Sequence, residues 1–130
     1  MDKYKPEGYN AVSPYLVVNE AHKMIDLLKV IFNAQVLRKY QNDNGSIMHA
    51  EVKIDDSVIM IADSNEMYPQ NTFLLHVYVP DVDVIYGKAM ENGCLSVGEP
   101  KQKEGEPDRR ASFKDFSGNI WSVASQINQT

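Results

Sequence analysis

The sequence predicts an α+β fold: two β-α-β-β-β modules joined in one domain as an antiparallel-rich, half-open barrel. Three observations predict it. Two segments show helical apolar spacing behind capping residues. Each is preceded by a short strand and followed by three more. A polar stretch, Ser64 to Asn71, separates the two runs. On this reading residues 1–130 form a single domain, with module one at about 10–63, a linker at 64–71 and module two at about 72–127. Neither half alone is large enough to bury both faces of its sheet, so the helices are expected to cover one face and leave the other curved around a cleft.

Module one begins with Tyr15 to Val18, short and apolar. The first helix follows Asn19, read as its N-cap. Ala21, Met24, Ile25, Leu28, Ile31 and Phe32 recur at three- and four-residue spacing, with Lys23 and Lys29 on the other face and Asn33 as a left-handed stop. Ala34 to Tyr40 is the second strand, and Asn42-Asp43-Asn44-Gly45 a hairpin turn. Ser46 to Ile54 alternates, placing Met48, Ala50, Val52 and Ile54 on one face and Ile47, His49, Glu51 and Lys53 on the other. Asp55-Asp56 turns the chain into Ser57 to Ala62.

Module two repeats the order. Thr72 to Val79 is a strand. Asp81 caps a helix whose apolar stripe is Val82, Ile85, Ala89 and Met90, ending at Gly93. A short strand, Cys94 to Val97, leads into a loop from Gly98 to Asp108. Arg109 to Asp115, a turn at Ser117-Gly118-Asn119, and Ile120 to Gln126 complete the chain.

Composition narrows the function classes. Of 130 residues, 43% are apolar and 24% charged, which excludes a disordered tail. Thirteen Lys+Arg against eighteen Asp+Glu give a formal charge of -5, which argues against nucleic acid and anionic membrane surfaces as partners. No apolar run approaches the roughly 18–20 residues of a membrane helix. The segment Met1 to Glu7 has no apolar core of a secretory signal, and the single Cys94 cannot form an intrachain disulfide, so a cytoplasmic setting is expected.

The residues then resemble a known superfamily, the vicinal-oxygen-chelate proteins, and most closely its PhnB-like, glyoxalase/bleomycin-resistance branch. The resemblance spans roughly 10–126. It rests on Tyr15-Leu16-Val17-Val18, on Met48-His49-Ala50-Glu51 followed by Asp56-Ser57-Val58-Ile59-Met60, and on the ending Phe113-Lys114-Asp115-Phe116-Ser117-Gly118-Asn119-Ile120-Trp121-Ser122. It implies the glyoxalase/bleomycin resistance/dihydroxybiphenyl dioxygenase fold, a bacterial-type protein, a homodimer and a small-molecule ligand. Metal-dependent members carry four ligands at positions that match Ser13, Met60, Leu74 and Ser122 here. None is His, Gln or Glu, and Leu74 has no donor at all, so the usual metal site is expected to be missing and no cofactor is expected.

The remaining chemistry lies on strands. His49 and Glu51 share a face, as do His76 and Tyr78. His49, Glu51 and His76 are the catalytic candidates, either as an alternative divalent-metal set or as acid/base groups. The bland alternative is that both histidines simply hydrogen-bond on half-buried sheet faces. Tyr15, His49, Glu51, Met60, His76, Tyr78, Arg110 and Ser122 are the expected ligand contacts. Trp121, alternating with Ser122, reads as core, and His22 as solvent-exposed. The loop 98–108 reads either as a solvated connection or as a lid that brings Arg109 or Arg110 to an anionic ligand. Cys94 lacks a basic neighbour and is not expected to be a nucleophile. The leading expectation is a small-molecule-binding protein; the alternative is a metal-dependent or His-assisted lyase or isomerase of glyoxalase type.

Overall fold

The computed structural model describes residues 3–127, so Met1 and Asp2 of the segment read for a signal lie outside the described residues. Its elements are β1 (Tyr15–Val18), α1 (Ala21–Phe32), β2 (Gln35–Gln41), β3 (Ile47–Ile54), β4 (Ser57–Asp63), β5 (Leu74–Tyr78), α2 (Val82–Glu91), β6 (Leu95–Lys101), β7 (Asp108–Lys114) and β8 (Ile120–Gln126). The β-α-β-β-β order occurs twice, in an α+β fold, and the chain divides into two units, 1–71 and 72–130. The strand order is β1-β4-β3-β2 in the first unit and β5-β8-β7-β6 in the second. In both, the first strand runs parallel to the last and the other pairs are antiparallel.

In the first unit, α1 buries Ala21, Met24, Ile25, Leu28 and Ile31 against β1, β3 and β4. Leu16 pairs with Ile61 and Val52 with Ile59, so these buried residues form the sheet side of that core. Asn19 is not the cap. Glu20 holds that position in a left-handed conformation, φ 62°, with no side-chain bond to the helix. The capping acceptor comes from the end of β4 instead. Asp63 Oδ1 accepts from the Ala21 amide at 2.9 Å and Oδ2 from the Ile47 amide at 2.7 Å, so one carboxylate satisfies an orphan helix donor and the start of β3.

The alternation expected for β3 holds only from His49 onward. Gln41 pairs with Ile47 but Tyr40 with His49, so β3 advances two residues while β2 advances one. This β-bulge turns Met48 outward, 55% exposed, and sends Ile47 to the buried side with Ala50, Val52 and Ile54. The linker residue Asn71 seals the outer edge of β1. Its amide donates to Val17 O, its Oδ1 accepts from Val17 N and its Nδ2 donates to Tyr15 O, each at 3.0 Å.

In the second unit, Val82, Ile85 and Ala89 of α2 pack on β6, β7 and β8. Asp81 is the N-cap, accepting from Val84 N at 3.2 Å, and Gly93 follows the helix end with φ 88°. Trp121 is core, 1% exposed, beside Phe113 and Val123. The loop expected from Gly98 is corrected: Gly98 to Lys101 continue β6, and β7 starts at Asp108, leaving 102–107 as the connection. Gly98 and Pro100 read as breakers, yet β6 is an edge strand with two register shifts, where both residue types are tolerated.

Asp115 organises the turn before β8. Its Oδ2 accepts Trp121 Nε1 at 2.9 Å, and its Oδ1 accepts the Ser117 and Asn119 amides at 2.9 and 3.0 Å. Asp115→Ala removes the acceptor of all three donors at a site 4% exposed. A loss of about 3 kcal/mol or more in chemical denaturation is expected, because each stranded buried donor costs about 1–3 kcal/mol. A loss under about 1 kcal/mol would count against this assignment.

Candidate functional site

The face of the first sheet turned away from α1 carries the polar chemistry. Register alone aligns one row across all four strands: Tyr15 on β1 pairs with Met60 on β4, Met60 with Glu51 on β3, and Glu51 with Arg38 on β2. His49, two residues before Glu51, shares its face and pairs with Tyr40.

These side chains connect. Tyr15 Oη lies 2.7 Å from His49 Nδ1, and His49 Nε2 lies 2.9 Å from Glu51 Oε2. Tyr9, from the segment before β1, donates its hydroxyl to Glu51 Oε1 at 2.5 Å. Arg38 Nε stands 3.6 Å from the same oxygen, and its guanidinium lies 5.5 Å from the centre of the Tyr9 ring. The Tyr40 ring stacks toward His49 with centroids 6.5 Å apart and planes 20° from parallel.

Glu51 is only 6% exposed. Burial is the largest single influence on its carboxyl and pushes the pKa up. The hydrogen bonds from Tyr9 and His49 and the Arg38 charge together outweigh burial, and the net shift is downward. Glu51 is therefore ionised at neutral pH. An ionised carboxylate only accepts, so His49 Nε2 carries the hydrogen. In the neutral ring Nδ1 is then the acceptor for the Tyr15 hydroxyl. The Tyr15 phenol is pushed above its ordinary value by burial, then by Tyr68 and Glu51, which keeps it an O–H donor.

Beside this line lies a recess of about 560 Å³. Val17 and Ala62 form its buried lining, and Tyr15, Met48 and Tyr68 stand around it. Its other polar residues have commitments within the fold. Asp63 caps α1, Asn71 holds the β1 edge, and Asn65 Oδ1 accepts the Tyr68 amide at 2.8 Å. The recess thus offers mainly aromatic and aliphatic surface with the Tyr15–His49 pair at its margin.

The other expected contacts belong to the second unit. His76 Nδ1 lies 3.3 Å from Ser122 Oγ, and its ring meets Tyr78 edge-on at 4.9 Å. Tyr78 donates to Asp108 Oδ2 at 3.1 Å, which raises the phenol pKa. Arg110 faces Asp108 at 3.5 Å and Glu106 at 3.9 Å. Arg109 is bound by both oxygens of Asp83 at 2.8 and 2.9 Å, which ties it to α2. The alternative metal set draws on both units, with His49 and Glu51 on β3 of the first. His76 lies on β5 of the second unit, and both nitrogens of His49 are engaged. Among the described residues no group of three or more His, Cys, Asp or Glu is arranged to hold a metal.

The positions matching the superfamily's metal ligands do not fit a divalent ion either. Ser13 precedes β1 and receives Asn10 Nδ2 at 2.9 Å, Met60 offers a thioether, Leu74 a hydrocarbon and Ser122 a hydroxyl. His22 is exposed, as expected, with Nε2 3.0 Å from Gly45 O. Cys94 is buried, and burial followed by the nearby Asp115 pushes its thiol up to about 11, which suits an inert residue.

Sequence reasoning missed Tyr9, Arg38, Tyr40 and Tyr68. Arg38 opposite Glu51 was findable as an unlike-charge pair on neighbouring strands, but a bulge between Val36 and Arg38 hides the register. Tyr9 sits in irregular chain with no periodicity to place it.

No family model matches the chain. Uncharacterized protein Rv0887c of Mycobacterium tuberculosis (strain ATCC 25618 / H37Rv) is 26% identical over 130 residues, covering 92% of this chain and 76% of its own. Among solved structures, TioX from Micromonospora sp. ML1 superposes with TM-score 0.72 at 20% identity, covering 93% of this chain and 99% of its own. TnmS3 from Streptomyces sp. CB03234, described as an antibiotic binding protein, gives 0.67 at 20% identity, with 92% and 100% covered. A glyoxalase/bleomycin resistance protein from the same Streptomyces strain gives 0.64 at 20% identity, with 84% and 94% covered. These likenesses establish a shared fold.

The Glu51 site has a pH signature. Its folded pKa lies below the ordinary 4.5, so the stability it contributes is complete above that value and is lost as pH falls through the depressed one. Glu51→Gln cannot ionise, and the acid limb of its Tm–pH profile should be shallower than that of the unaltered protein. Identical limbs would contradict the arrangement.

Proposed function

Starting from a chain that carries the vicinal-oxygen-chelate fold, we propose a small-molecule-binding role of glyoxalase/bleomycin-resistance type, exercised on the open face of the first unit without a bound metal. The observation that carries it is the hydrogen-bonded line Tyr15–His49–Glu51 at the margin of an aromatic- and methionine-lined recess. Flat rings and a flexible thioether suit a planar, largely apolar ligand. The Tyr15–His49 pair supplies one polar anchor, and Met60 extends the apolar surface along the same row. His76, Tyr78, Arg110 and Ser122 are proposed as ligand contacts of the second unit's own open face. The description of TnmS3 as antibiotic-binding supports the ligand class. The reading includes a homodimer in the cytoplasm. Among the described residues no helix is long and apolar enough to cross a membrane.

A second reading, His49-assisted proton transfer in a lyase or isomerase, is favoured by the same line, since an imidazole held between a hydroxyl and a carboxylate can pass a proton. Turnover lost in His49→Gln with ligand affinity retained would select it.

The binding reading is tested with a panel of neutral, cationic and anionic planar aromatic compounds in thermal-shift and intrinsic-fluorescence titrations. A ligand at about 100 times its Kd should add roughly 2.7 kcal/mol of stability. Tyr15→Phe and His49→Ala should each weaken the responding compound by about 5- to 30-fold, the loss of one or two hydrogen bonds. No response across the panel, or unaltered affinity in both variants, would overturn the proposal.

A further inference from the structure

Glu51 has two oxygens, and different parts of the chain hold them. Oε2 faces His49, on the same strand. Oε1 receives the hydroxyl of Tyr9, forty-two residues earlier. Tyr9 is not a loose contributor. Its own amide bonds Pro6 O at 3.2 Å, closing a turn, and Gly8 within that turn has φ 85°. The next residue, Asn10, accepts the Val58 amide at 2.9 Å on its Oδ1 and donates through Nδ2 to Ser13 and to Val12 O. Residues 6–13 therefore form a strap fastened to β4 at Val58 and to β3 at Glu51. Arg38, reaching from β2, lies against the Tyr9 ring and completes the enclosure.

We propose that Tyr9 is a positioning residue: through Glu51 Oε1 it fixes the carboxylate in the orientation from which Oε2 holds His49, making the strap 6–13 a working part of the site. This rests on the binding reading for its purpose, but its geometry stands without any ligand. The groups facing Glu51 are Tyr9 from the strap, Arg38 from β2 and His49 on its own strand. Arg38, at 3.6 Å and half exposed, is the weaker restraint on Oε1. Without the Tyr9 hydroxyl the carboxylate keeps no short bond on Oε1 and gains freedom to rotate about its terminal torsion. His49 then loses the fixed acceptor that selects its Nε2–H form.

The test reads His49 in ligand-free protein by side-chain nitrogen NMR, at one fixed pH held well above the ordinary imidazole range so that only the neutral ring is observed. The unaltered protein should show one tautomer, with hydrogen on Nε2, and Tyr9 ring protons close to the Glu51 γ protons. Tyr9→Phe removes only the oxygen and should shift the two His49 nitrogens toward each other, as the tautomers mix. Glu51→Ala removes the acceptor altogether and marks the limit of that release. His49 signals in Tyr9→Phe that superpose on those of the unaltered protein, while Glu51→Ala moves them, would overturn the proposal. So would the absence of Tyr9–Glu51 proximity in the unaltered protein, a measurement that stands even if the variant does not fold. Because no ligand is present, a failed compound panel with an intact Tyr9 effect would sink the binding reading alone.

Discussion

The parallel contact between the first and last strand of each unit is the constraint on which the remaining structure depends. Parallel neighbours cannot be joined by a tight turn, so the helix and two further strands must be accommodated between β1 and β4, and again between β5 and β8. In the first unit this contact sets Tyr15 against Met60. A slip of one residue would carry Tyr15 into the core beneath α1 and bring Leu16 out. The core forbids it, because Leu16 and Val18 are fully buried. The site is thus placed by hydrophobic burial on the opposite face of the same four residues.

Two copies of one topology have been filled differently. The first unit spans its sheet with Tyr15, Met60, Glu51 and Arg38, and buries an ion among donors. At His76 in the second unit, the corresponding row runs through Ser122 and Ser112 to Gly98, with short side chains and no carboxylate. A buried carboxylate is costly unless several donors meet it; the first unit brings Tyr9 from outside the sheet to Glu51, whereas in the second unit buried Asp108 is met by Tyr78 and Arg110 from the sheet itself.

Most of the fold was legible because it follows local rules. β1 and β8 appear with the expected bounds, α2 starts behind Asp81, and Trp121 alternates into the core. The failures are non-local. Asn19 had the right chemistry for a cap, but Asp63, distant in sequence, took the role, while Asn19 accepts the Ser64 hydroxyl. Met48 and Ile47 exchanged faces because a bulge depends on the partner strand as much as on its own. Of the site, the shared face of Tyr15, His49 and Glu51 was readable from strand parity. Tyr9 was not, since irregular chain offers no period to extrapolate. His76 was readable as a polar strand residue, but not its pairing with Ser122 across β5 and β8.

The side chain of Asn71 has a further consequence. By answering the outward amide and carbonyls of Tyr15 and Val17, it leaves that border of the sheet with nothing for a foreign extended peptide to grip. The opposite border, β2, is kinked by two register breaks and carries Arg38 and Lys39, which repel a copy of themselves. The first unit is thereby guarded on both flanks against recruiting neighbours into a growing fibril, although it displays Met48, Tyr40 and Tyr68 to water.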